Sequence, residues 1–131
     1  MGHIEGLAEH AHELAGLGHP FVPGELLALR LGYLVLNRKG DDCGGGALLA
    51  NVLFVRPSAD PHRQTLSTLH EVSHRLMDQH HPHHGHADVW ALTLALAIPR
   101  SAFRQIHQAD HVARWVIALR RLTARAVPRA A

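Results

Sequence analysis

The sequence predicts an α+β fold, a small antiparallel β-sheet beside a long helix that carries the motif HExxH, with further helices around them. Three observations point there. Apolar residues recur at helical spacing in several separate stretches. Two short apolar, partly β-branched runs, "GYLVLNRKG" (32–40) and "ALLANVLFVRPS" (47–58), flank the Gly-rich turn "DDCGGG". His70-Glu71-Val72-Ser73-His74 falls inside one of the helical stretches. With 131 residues, 47% hydrophobic and 18% charged, the chain suffices for one domain and one modest core. It is read as a single domain over 1–131, an N-terminal helix and linker (1–22) followed by the main unit (23–125).

Taken in order, Ile4, Leu7, Ala11 and Leu14 define a first amphipathic helix from about residue 3 to 17. "GLGHPFVPG" breaks it, and Gly24 to Leu31 is expected as a short helix. The two strand runs follow, the second ended by Pro57. Asp60-Pro61 is a helix start, a capping residue before a proline at the first helical position. Leu66, Leu69, Val72 and Leu76 give that helix an apolar face to about Gln79, and Pro82 and Gly85 end it. Asp88 to Ile98 reads as a buried helix stopped by Pro99. "RSAFRQIHQ" and "DHVARWVIALRRLTARA" supply one or two C-terminal helices. Trp90 and Trp115 occupy apolar helical positions and are expected in the core.

Composition removes several classes of function. The net charge is +2, and the arginines are scattered except in the tail, so no nucleic-acid surface is indicated. Cys43 is the lone cysteine, which excludes an internal disulfide and a cysteine zinc ribbon; it reads as a loop thiol. No apolar run approaches the roughly 20 residues that span a bilayer. The acidic N-terminus is a poor signal peptide, and a cytoplasmic location is the default.

The chemistry sits in HExxH. Residues i and i+4 lie one helical turn apart on one side, so His70 and His74 present both imidazoles to one point. That is two-thirds of a catalytic zinc site. Glu71, one residue round, misses the metal and reaches the attacking water as general base. A third ligand must come from elsewhere. His80 has the metzincin spacing, but Met77 stands where that motif needs a turning glycine. His81 lies about 10 Å along the helix from His74, too far to share an ion. The ligand should therefore come from beyond the break at Pro82–Gly85, from His83, His84, His86 or Asp88. The other histidines of this region read as a solvated polar loop.

These motifs resemble the ImmA/IrrE family of zinc metallopeptidases, a minimal zincin-like group, over roughly residues 24 to 122. "PHRQTLSTLHEVSHRLM" (61–77) is similar to the family's approach to its HExxH. "ALTLALAIPRSAF" (91–103) resembles its "FAAELLMPxxxF" segment, "VARWVIALRRL" (112–122) its C-terminal helix, and "NVLFVRPS" the strand before the active helix. Family members take the third ligand from a glutamate on the second helix, thirteen residues before the closing proline. That register falls on His86, so histidine stands where the family has glutamate. Asp88 is the second choice and His84, through the "ADVWA" match, the third. The resemblance implies a zinc endopeptidase that cleaves a helix-turn-helix repressor and so derepresses phage, mobile-element or stress-response genes. Read as one domain without a fused helix-turn-helix or sensor domain, it would take regulation from a partner or from metal supply.

In the mechanism this implies, Glu71 moves the proton from water to the leaving amine. Tyr33, His107 and His111 are candidates to stabilise the oxyanion. The strand edge near 47–56 is a place for an extended substrate to add, and Arg63 and Gln64 are read as contacts to the sheet or the substrate, or equally as solvated helix surface. Imidazole also suits manganese and other divalent ions. Two rival readings are a pseudo-protease that binds a repressor without cutting it and a histidine-rich metal-binding protein. Oligomeric state is not legible.

Overall fold

The computed structural model describes residues 2–16, 23–37, 51–80, 83–102 and 114–126. Within them the order is α1 (His3–Ala15), α2 (Gly24–Arg30), β1 (Leu34–Asn37), β2 (Val52–Val55), α3 (Pro61–His80), α4 (His86–Ala97) and α5 (Arg114–Ala126). The protein is thus mostly helical with a small two-stranded sheet. The expected elements that fall within the described residues are present, but the sheet is parallel, not antiparallel: Leu34 pairs with Val52 and Asn37 with Val55. The Gly-rich stretch had suggested a hairpin. The chain between Asn37 and Val52 is longer than the dozen or so residues a parallel return requires, and the buried β2 (Val52, Leu53 and Val55) lies against α3.

Helix α3 starts where the sequence places it. The Asp60 carboxylate accepts the His62 backbone N–H at 2.9 Å, and its carbonyl accepts that of Gln64, satisfying donors the first turn would otherwise leave open. Leu66, Leu69, Val72, Leu76 and Met77 are buried along one face. The helix continues through His80, which is exposed, so the chain makes no metzincin-type turn at Met77. The Gln64 side chain faces the sheet. It accepts the Ser58 backbone N–H and donates to Asn37 at the end of β1, so it ties helix to sheet. Arg63 pairs locally with Asp60.

Helix α4 is apolar on nearly every side, with Val89 and Leu92 through Ala97 all buried. A helix of this kind must be enclosed by neighbours; α1, α3 and α5 pack on it. It begins at His86, a turn's fraction earlier than expected, because Asp88 caps it. The Gly85 backbone N–H donates to Asp88 Oδ2 at 3.3 Å.

The expected face of α1 holds at Ile4 and Ala11, which are buried, and at Leu7, partly buried against the core, but not at its end. Leu14 is 67% exposed, while Ala8, Ala11 and Ala15 are buried. Small side chains let α1 approach α4 closely, and two polar residues, Glu5 and His12, are carried into the contact. Each finds a partner. His12 Nε2 lies 2.7 Å from the Leu96 carbonyl. Glu5 forms a two-pronged ion pair with Arg120 of α5, whose Nε also donates to the Ile98 carbonyl at 2.7 Å.

Both tryptophans also depart from expectation, at 42% exposure for Trp90 and 40% for Trp115. Each lies beside the buried stripe of its helix, next to Val89 and Val116 respectively. Tyr33 is buried in the core cluster. Cys43, His107, His111 and His81 fall outside the described residues, as do positions 47–50 of the supposed substrate edge and most of "RSAFRQIHQ".

Candidate metal centre

The centre lies between α3 and α4, which run antiparallel: His70 meets Thr93 in the later part of α4, while Asp78, two turns on, faces His84 just ahead of its start. On α3 the one-turn spacing brings His70 Nε2 and His74 Nε2 to 3.2 Å. Tetrahedral zinc with Zn–N bonds of about 2.05 Å separates adjacent ligand nitrogens by about 3.3 Å, so this pair already has the right opening. His86 completes the group. One ligand atom from each of His70, His74 and His86 lies within 4.8 Å of the others. His86 stands somewhat back, its ring centroid 5.3 Å from His70 and 5.8 Å from His74, against 4.7 Å between those two. These three residues are the ones expected first from the sequence.

The remaining candidates are committed elsewhere. Asp88 accepts from the α4 N-terminus, and His84 faces Asp78 at 3.8 Å. His83 is exposed. Among the described residues, no second cluster of three potential ligands is present.

Protonation favours ligation. Burial pushes His70 down from 6.5 to about 4, and repulsion from His74 and then His86 adds to the effect. The ring is therefore neutral at pH 7, with a lone pair to offer, as a metal ligand must be. Orientation is fixed from behind. His70 Nδ1 is 3.5 Å from the Thr93 hydroxyl, which sits 2.8 Å from the Val89 carbonyl and 3.1 Å from the Ser73 hydroxyl. The Ser73 hydroxyl donates to the Leu69 carbonyl at 2.7 Å. With both hydroxyls donating to backbone carbonyls, Thr93 Oγ1 retains a lone pair for His70 Nδ1–H. That tautomer leaves Nε2 free toward the centre.

Sequence reasoning did not single out this relay, although a signal existed: Thr93 is the lone polar residue of α4 after Asp88. It also missed Trp90, whose indole stacks on His70 at 4.3 Å between centroids and donates from Nε1 to His86 Nε2 at 3.1 Å. Glu71 is half-buried beside His70 and makes no hydrogen bond or ion pair to another described residue.

Three imidazoles with this spacing, one held neutral and aimed by a buried hydroxyl, fit a divalent cation such as zinc. One carbonyl of the supposed substrate edge is already used, because Arg75 Nη2 donates to Val52 O at 3.1 Å. No protein-family model matches the chain, nor does any curated protein or solved structure.

Proposed function

We propose that this chain is a zinc-dependent endopeptidase. The observation that carries the reading is the convergence of His70, His74 and His86 on one point with a carboxylate, Glu71, next in sequence to the first of them. When bound, zinc supplies a Lewis acid for the scissile carbonyl and acidifies the attacking water. His70, His74 and His86 hold it, and Thr93 and Ser73 keep His70 aimed. Glu71 takes the proton from the water and returns it to the leaving amine. A substrate carboxylate or amine is not needed for this chemistry, and an internal peptide bond suffices.

The substrate class rests on the likeness of "PHRQTLSTLHEVSHRLM" and "ALTLALAIPRSAF" to the ImmA/IrrE segments. On that ground the target is a helix-turn-helix repressor, acted on in the cytoplasm. A role in metal storage has less support, since the described residues form a single three-ligand cluster.

The test pairs zinc content with cleavage. Zinc-loaded protein should cut a helix-turn-helix repressor, and Glu71→Gln should keep one zinc per chain while lowering the cleavage rate by at least about 100-fold, the size of a lost general base. A repressor that stays bound but intact would turn the reading to a pseudo-protease.

A further inference from the structure

Trp90 does not behave as a core residue. It is partly exposed on the first turns of α4, yet both of its functional parts engage the histidine cluster. Its ring covers His70 with planes 34° apart, and its N–H points at His86 Nε2 from 3.1 Å. This second contact has a strict chemical consequence.

An imidazole that accepts a hydrogen bond is neutral, and a neutral imidazole has one acceptor nitrogen. A cation needs that same lone pair. If it binds at Nε2, the indole loses its acceptor directly. If it binds at Nδ1, the ring proton must reside on Nε2, which then becomes a donor facing another donor. Whichever nitrogen of His86 ligates, the Trp90 bond and the metal bond cannot coexist.

We infer that Trp90 is a latch on the metal centre, its indole N–H occupying the ligating lone pair of His86 until a divalent cation displaces it. This rests on the metal-site reading of His70, His74 and His86. The latch keeps an exposed imidazole beside its two partners, and it competes with the ion for His86. His86 is also the ring that stands farthest back from the other two. Metal loading must therefore move the indole or His86, which makes Trp90 a built-in reporter of occupancy.

The experiment is a zinc titration of the full chain, following the two indole N–H resonances by nuclear magnetic resonance, with Trp115→Phe to assign them. Zinc affinity of wild type, Trp90→Phe and His86→Ala is measured alongside by competition with a chelator. The Trp90 indole proton should shift upfield as one equivalent of zinc binds, reporting the broken hydrogen bond, while Trp115 stays in place. Trp90→Phe keeps an aromatic ring over His70 and removes the competing donor, so it should bind zinc about 2- to 10-fold tighter. Zinc bound through His86, as shown by weaker binding in His86→Ala, with an unmoved Trp90 resonance would overturn the latch and leave the metal site standing. Failure to bind one zinc, or full affinity in His86→Ala, would overturn the three-histidine site and the latch together. If Trp90→Phe does not fold, the wild-type resonance decides alone.

Discussion

Thr93 shows how much of the centre depends on one atom. Its hydroxyl contacts both His70 Nδ1 and the Ser73 hydroxyl, and it is fully buried. Thr93→Val preserves shape and removes the acceptor. Zinc affinity should then fall by about 10-fold or more, the usual cost of losing such a partner, and Thr93→Ser should restore most of it; chelator competition reads both. His70 carries a second prediction at this scale. Its folded pKa lies below the unfolded value, so the unfolded chain takes up the proton first. Metal-free protein should therefore hold this contribution above pH 6.5 and lose it as the pH falls from 6.5 to about 4. Urea midpoints across that range, with and without a chelator, check the sign. His70 and His74 were legible in the sequence because helical geometry alone makes i and i+4 neighbours. Trp90 was not. An aromatic residue in an apolar run reads as core, and only the placement of α4 against α3 reveals that its ring faces histidines.

At the scale of elements, the approach of α2 to α3 is set by Gly24. A Cβ there would meet the Thr65 carbonyl oxygen at 2.7 Å, and the Gly24 N–H points to the Thr65 hydroxyl at 3.3 Å. Backbone cannot yield as a side-chain tip does, so Gly24→Ala should push the helices apart. A loss of about 1–3 kcal/mol, typical of overpacking, is expected in denaturant unfolding. The long helix was readable from Asp60, Pro61 and the 66–69–72–76 stripe, since cap and period agree. Strand direction was not. Alternation and β-branching identify Leu34–Asn37 and Val52–Val55 as extended, but carry no information on whether the returning strand runs with or against its neighbour. On α1, Leu14 was misplaced for a related reason, while Ile4 and Ala11 are buried as expected. Leu14 is a larger apolar group, yet the close contact with α4 selects Ala8, Ala11 and Ala15, and the buried Glu5 and His12 are matched by Arg120 of α5 and the Leu96 carbonyl of α4.

Across the whole molecule, α4 is the axis on which the rest is assembled. Its enclosed C-terminal half anchors α1 and α5, and the Arg120 guanidinium joins Glu5 of α1 to the Ile98 carbonyl at the end of α4. Its open first turns present His86 and Trp90 to α3. One helix thus connects the packed interior to the histidine centre, so close packing behind the site coexists with an exposed third ligand. No described helix is long and apolar enough to cross a membrane. On the proposed reading, three side chains from these two helices hold one divalent cation. X-ray absorption at the zinc edge on protein loaded with one equivalent tests it most directly. Three imidazole nitrogens are expected at about 2.0 Å, with one lost in His86→Ala; zinc held by only two imidazoles, unchanged by that substitution, would overturn the three-histidine site.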